Sequence, residues 1–424
     1  MKNQKTTTTE GRLSVLTQLC NLIPPHLVPK VLRKLKDEQG VKVQARVFKV
    51  WSHIVCLLYC HFANCVSLND ICDALGLHRA VLNSIRNAVA PCRNTLANAN
   101  KRRDSRVIQA VYYAMLDHIG SMNPGFMGRG KRSYFRLPRR FKRAIRAIDS
   151  TTIELIAKCM DWAKHRRRKA AAKLHVSLDI ASFLPVRAIP APGKHQDCNF
   201  MVALCAGMKA GDIAIFDKGY IAYKHLFTLT GQGIFWVSRA KDNAKYRTLR
   251  KLQRGSMKNI ISDEVVELVG KVSLSRYPGK LRLIRAYVEC DDGTVKEMTF
   301  ISNNFEWSAG SICELYRSRW AIETFFKEIK QTLQLHTFLG FSRNAIEWQL
   351  WSALLAYLLL RYQAWLNTWG RTFKHFFTLM KGALWVHETI SSIAARYGTA
   401  GTRIPVDLCA TSPYLPGFEK IMAE

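Results

Sequence analysis

Three acids on separate stretches of the chain have the chemistry to act together: Asp149 in AIDSTT, Asp217 in IFDKGY and Glu323 in WAIETFF. Tyr316, Arg319, Glu323 and Lys330 share the stretch SAGSICELYRSRWAIETFFKEIKQTL, which reads as one continuous helix. At about 100° per residue, offsets of three, seven and fourteen from Tyr316 put the four side chains within an arc of roughly 60°. Ile322, Phe326, Ile329 and Leu333 form an apolar stripe beside that arc, so the helix can pack while its polar face looks into a cleft. One acid between two cations and a phenol suits a metal-assisted reaction on a polyanion. Three carboxylates without a thiolate or histidine cage favour magnesium or manganese, which prefer oxygen. Two such ions about 4 Å apart can activate water and stabilise a leaving oxygen during in-line displacement at phosphorus. Arg319 and Lys330 would keep the acids ionised and contact phosphate oxygens, and Tyr316 can donate a hydrogen bond to phosphate.

Positioning these groups requires a particular set of elements. RAIRAID, KLHVSLDI and FLPVRAIP read as three adjacent strands, with Asp149 ending the first. A helix from Asn199 to Lys209 follows, then a buried strand DIAIFD ending at Asp217, a helix Tyr223–Leu229 and a strand GIFWVSRA. If the first and fourth of these strands are neighbours, Asp149 and Asp217 meet at one sheet end, where clefts open. An aspartate at a strand end is by itself most often a turn or cap residue. Residues 241–300 are polar, turn-rich and strand-like, and the acidic helix follows them. The order matches an α/β, ribonuclease-H-like mixed sheet with flanking helices, a β-rich insertion and an all-helical N-terminal domain.

The 424 residues imply two or three domains. Lysine and arginine number 64 against 31 aspartates and glutamates, a formal charge of +33. Such an excess repels itself unless a polyanion is near, so nucleic acid is the default partner. A ribosome-associated protein and a membrane-surface binder are the alternatives. The charge is spread along the chain rather than gathered on one amphipathic helix, which argues against the membrane. None of the 12 cysteines forms a C-x-x-C pair, and Cys56, Cys60, His61 and Cys65 lack the spacing of a zinc finger. Free buried thiols in a reducing compartment are the expectation. MKNQKTTTTEGRL lacks the apolar core of a signal peptide. The apolar run Trp348 to Leu360, containing Gln349 and closed by Arg361, is short of the roughly 20 residues a membrane span needs and reads as a core helix.

Residues 1–120 read as helical. Ser67 to His78 resembles the start of a helix-turn-helix, with Ser67 as cap, Gly76 as the turn and a second helix from Arg79 to Val89. The alternative is an ordinary helix pair; Arg93, Lys101, Arg102, Arg103 and Arg106 nearby favour DNA. Residues 121–143 form a basic connector with Phe126, Tyr134, Phe135 and Phe141 interleaved, able to stack on bases or to dock on its own domain.

The spacing Tyr316-x2-Arg319-x3-Glu323-x6-Lys330 resembles the YREK signature of DDE transposases of the insertion-sequence-four type. AIDSTTIEL and IFDKGYIAY are similar to that family's two aspartate motifs, and KLHVSLDI…LPVRAIPAPGKHQD to the link between them. The likeness covers roughly residues 144–365. It implies a catalytic core at 144–240 and 301–390, split by a β-strand insertion at 241–300. A helical, DNA-binding domain at 1–120, the linker 121–143 and a tail 391–424 complete the expected organisation. It further implies Asp149, Asp217 and Glu323 as ligands of two divalent cations, and Tyr316, Arg319 and Lys330 on the DNA backbone. The expected activity is cleavage of double-stranded DNA at terminal inverted repeats and strand transfer to target DNA. A homodimer in the synapse and a cytoplasmic, nucleoid-associated location without membrane follow. Some family members form a hairpin intermediate in which an insertion-domain tryptophan supports a flipped base. Trp236 and Trp307 flank the insertion here, and Trp307 is the candidate, against a core or helix-start contact. His195 and Asp197 of KHQD read as a satisfied turn pair, with support of the metals as the alternative. Lys164 to Lys169 read as a basic loop, solvated or gripping DNA. A nuclease without strand transfer and a non-catalytic DNA-binding regulator are the competing readings.

Overall fold

The computed structural model describes residues 13–41, 46–129, 141, 143–155, 164–166, 169–253, 259–289, 294–333 and 338–398. Among the described residues, seven α-helices precede the first strand: α1 (Val15–Asn21), α2 (Leu27–Gln39), α3 (Val50–Ala63), α4 (Leu68–Leu77), α5 (Arg79–Ser84), α6 (Arg93–Arg102) and α7 (Arg106–Met122). α3 is buried from Ser52 to Phe62. His61 on it accepts or donates at Nε2 with Ser352 Oγ at 2.9 Å, and burial pushes its pKa down to about 4. The cysteine–histidine cluster thus lies inside the helical core, and burial raises the Cys60 thiol too.

The expected helix-turn-helix needs correction. Ser67 and Asp70 form a reciprocal capping box at the start of α4, but Gly76 stays within the helix and the chain turns at His78. α5 ends at Ser84, five residues early, because Arg86 and Asn87 adopt left-handed backbone at φ 53° and 55°. Arg86 lies over the Trp51 ring at 3.5 Å and donates to the Cys20 carbonyl. Arg103 donates to the carbonyls of Phe48 and Lys49, and Arg106 is forked onto Asp104. These arginines hold the helices together. Arg93, Lys101 and Arg102 are exposed.

β1 (Ile145–Leu155), β2 (Lys164–Arg166), β3 (Lys169–Asp179) and β4 (Leu184–Pro192) come next. The supposed basic loop is therefore a tight β2–β3 pairing, with residues 167–168 outside the described ones. A 3-10 turn (Asp197–Phe200) and the four-residue α8 (Met201–Leu204) replace the longer helix expected to Lys209. β5 (Ile213–Phe216), α9 (Tyr223–Gly231) and β6 (Phe235–Arg239) follow. Then come β7 (Tyr246–Lys251), β8 (Ile260–Leu268), α10 (Lys271–Arg276), β9 (Leu281–Glu289) and β10 (Val295–Ser302). The ten strands form one sheet in the order β2-β3-β1-β5-β6-β10-β9-β8-β7, with β4 also on β3. β4, β3 and β1 are antiparallel, whereas β1, β5 and β6 run parallel. This is the ribonuclease-H-like arrangement. β10 pairs antiparallel with β6, so the four strands after β6 extend the same sheet.

Side chains alternate across a sheet, and the alternation sorts the core. Ile145, Ala147, Ile213 and Ile215 join the larger apolar cluster, shared with the N-terminal helices. Ile148, Ala214 and Phe216 join a second cluster on the other face, with α8 and α9. The larger cluster also takes in α11 (Ala309–Arg317), α12 (Trp320–Thr332) and α13 (Arg343–Leu366). The predicted core helix, Trp348 to Leu360, is buried throughout within α13. α14 (Phe373–Gly382) and α15 (Ile390–Tyr397) end the described chain. Among the described residues no single helix is long and apolar enough to cross a membrane.

The four signature residues do not share one helix. α11 ends at Arg317 and α12 begins at Trp320. Ser318 Oγ donates to the Leu315 carbonyl at 2.6 Å, and the amides of Arg319, Ala321 and Ile322 each bond three residues back. A serine hydroxyl competing for a carbonyl and a tightened i→i−3 turn are sufficient local causes of the break. Tyr316 thus stands on α11, Arg319 at the corner, and Glu323 and Lys330 on α12.

Candidate active site

β5 pairs with β1 only from Ile145 to Ile148, opposite Ile213 to Phe216. β1 continues to Leu155 with β3 alone, so a notch opens where β5 stops. Asp149 and Asp217 stand side by side at its floor, Asp149 within its strand rather than at the end. Both have the parity of Ala147 and Ile215, so both point toward α11 and α12.

The helix pair closes over them. Tyr316 Oη donates to Asp217 Oδ1 at 3.1 Å. Arg319 donates through Nη1 to Asp149 Oδ2 at 3.0 Å and pairs through Nη2 with Glu323 Oε1 at 2.7 Å. Tyr316 therefore holds one of the three acids and Arg319 bridges the other two. Ile322, Phe325, Phe326 and Ile329 are buried beneath, fixing the roll of α12. Lys330 Nζ donates to the Thr152 carbonyl at 3.1 Å, three residues beyond Asp149 on β1.

The electrostatics are strained in one place. Burial lifts the Asp149 pKa from 3.8 to about 6; Arg319 and the Ser150 amide pull it back, while Asp217 and Glu323 push it up. Burial also raises the Tyr316 phenol, keeping it a donor at neutral pH. Burial lowers Lys330, and Glu154 opposes that shift.

Five residues escaped sequence reading: Ser150, Lys173, His175, Tyr220 and Glu328. Ser150, next to Asp149 and facing the opposite side of the sheet, donates through Oγ to Asp197 Oδ1 at 3.1 Å. Lys173 Nζ meets the same oxygen at 2.8 Å. His175 Nδ1 bonds the Tyr220 hydroxyl at 3.0 Å and lies 3.7 Å from Asp197. Asp197 is thus engaged across the sheet face, and His195 stacks over Phe200 instead of forming the expected turn pair. The signal was the alternation of β1 and β3, which puts Ser150 opposite His175 and Thr152 opposite Lys173. On α12, Glu328 pairs with buried Arg361 of α13. An arginine closing an apolar run needs such an acid.

Other expectations resolve as packing. Trp236 is fully buried and donates to Thr230 Oγ1. Trp307 lies between Phe141 and Phe235, ring centroids 5.3 and 5.0 Å away, packed against the core. Phe126 packs on Tyr362 and Trp365. Tyr134 and Phe135 lie outside the described residues.

Whether the acids suit a metal can be judged from the donor set. It is oxygen only, and a guanidinium already stands between Asp149 and Glu323 as a cation would. No three acid, histidine or cysteine side chains among the described residues converge into a finished cage. The carboxylates fit a hard divalent cation once Arg319 gives way.

The profile of the family described as "Transposase DDE domain" matches residues 140–359, and that of a domain of unknown function (DUF4372) matches 12–85. The chain is 31% identical to y4zB of Sinorhizobium fredii, named as a transposase, over 72% of this chain and 81% of that one. A protein of Geobacillus stearothermophilus, named as a transposase for insertion sequence element IS5377, is 28% identical over 53% of this chain and 57% of its own. Transposase InsG for IS4 of Escherichia coli K12 is 27% identical over 45% and 43%. This chain belongs to the transposase DDE domain family: it is a DNA-cleaving and strand-transferring enzyme that uses divalent metal.

Proposed function

We propose that Asp149, Asp217 and Glu323 hold two divalent cations, Mg2+ or Mn2+, and cut double-stranded DNA at the terminal inverted repeats of a mobile element. One observation carries this reading: in one notch open to solvent Tyr316 holds Asp217 while Arg319 bridges Asp149 and Glu323, acids from three separate segments. When bound, the cations supply an activated water and stabilise the leaving oxygen at phosphorus. The chain's own residues do the rest. The Ser150 amide holds Asp149 Oδ1 at 2.7 Å, aiming the other oxygen into the notch. Arg319 keeps Asp149 and Glu323 together before loading. Its Nε, buried and without a hydrogen-bond partner, is a donor left for a phosphate oxygen. Tyr316 orients Asp217, and Lys330 borders the path of the strand along β1. The freed 3′-hydroxyl is then the nucleophile for target DNA, and cutting two ends calls for at least a homodimer in the synapse.

The test is cleavage of end-containing DNA with Mg2+. Asp149→Asn, Asp217→Asn and Glu323→Gln should each abolish nicking while retaining end binding. Metal-dependent nicking by all three variants would refute the assignment.

A further inference from the structure

We infer that Asp197 is a positioning residue for Asp149, acting through the sheet by way of Ser150; this rests on the metal-binding role proposed above for Asp149. The argument is one of geometry. Consecutive residues of a strand face opposite sides. Asp149 points into the notch, whereas Ser150 points to the far face. Ser150 makes two bonds at once: its amide donates to Asp149 Oδ1 at 2.7 Å and its hydroxyl to Asp197 Oδ1 at 3.1 Å. The orientation of this peptide decides which way the Asp149 carboxylate turns.

Asp197 is itself anchored. Lys173 holds the same Oδ1 at 2.8 Å, with side-chain exposures of 17% for the lysine and 26% for the acid. Beside it His175 is fully buried, bonded to Tyr220 and packed on Phe200 at 4.1 Å. Burial keeps this imidazole neutral, with a pKa down near 4, so it adds shape and no charge. Tyr220 follows Asp217 by three residues, in the 3-10 turn that Asp217 begins. The far-face group therefore touches the strand of one acid and the turn of the other. A turn 48 residues beyond Asp149 supplies the acid that holds Ser150. Asp197 does not reach into the notch, which distinguishes it from a fourth ligand.

The experiment is Mn2+ binding to the full chain, free of DNA, followed by calorimetry. Ser150→Ala removes only the hydroxyl and should weaken Mn2+ roughly tenfold, the scale seen when a partner of a metal ligand is lost. Ser150→Thr restores the donor and should bind as wild type. Asp197→Ala should match Ser150→Ala, and the double variant should be no weaker than the weaker single variant, because both cut one tether. Wild-type affinity in Ser150→Ala, or additive losses in the double variant, overturns the positioning role alone. Absence of Mn2+ binding by the wild type overturns the metal reading of Asp149, and this role with it.

Discussion

Asp149→Asn should stabilise the protein at neutral pH while destroying its activity. The buried carboxyl has a pKa near 6 in the fold against an ordinary 3.8. For an acid raised in this way, the folded state binds the proton more tightly than the unfolded chain does. Its ionisation costs no stability below 3.8, a growing amount between 3.8 and 6, and the full amount above 6. About two pH units correspond to ~3 kcal/mol. That figure already contains the attraction of Arg319, since the guanidinium is among the causes of the net shift. Asparagine carries no charge to desolvate, so its advantage should approach ~3 kcal/mol at pH 7.5 and shrink below ~1 kcal/mol near pH 4. Urea unfolding of both proteins without divalent metal, across that range, measures the difference. Titrating groups away from the notch cancel between the two. A destabilised Asp149→Asn at neutral pH, or a difference that ignores pH, would show that the carboxylate is not held at a cost.

The remaining predictions concern its neighbours. Lys330→Ala should weaken end binding and lower the slope of log K against log salt by about 0.9, one phosphate contact's worth, in a filter-binding titration; an unchanged slope removes Lys330 from the DNA path. Arg319→Ala should weaken end binding as well, and should raise the midpoint of the Asp149 titration, followed by carboxyl NMR, by roughly one pH unit, the worth of a charged hydrogen bond. Arg361→Met strands Glu328, whose side chain is only 15% exposed, and should cost roughly 3 kcal/mol in urea unfolding. Chelation should halt cleavage and Mn2+ should restore it, with DNA-end binding retained throughout.

Much of the site was readable because its parts are local. Asp149, Asp217 and Glu323 each sit in a short recognisable segment, and period-2 apolar runs placed the first two on strands. The strand order needed one assumption, that β1 and β5 are neighbours, which pairing of Ile148 with Phe216 meets. The continuous helix was misread because no proline or glycine marks the corner between Leu315 and Ile322; the Ser318 hydroxyl bond and the i→i−3 amide bonds after it turn the chain there. The turn of the helix pair was misplaced because Gly76 fits within the first helix, and the second helix stops early where Arg86 and Asn87 take left-handed backbone.

The amino-acid sequence by itself determined the chemistry: which oxygen donors exist, the cations and phenol beside one of them, and the charge that calls for a polyanion. Those are properties of side chains and their spacing. Tertiary structure decided how the donors are held. Only the parallel pairing of β1 with β5 puts Asp149 beside Asp217, and only the packing of α12 on β1 lets Arg319 bridge Asp149 and Glu323. The role we assign to Asp197 depends on that folding too, since an acid 47 residues away becomes a neighbour of Ser150 only when a sheet sends alternate side chains to opposite faces.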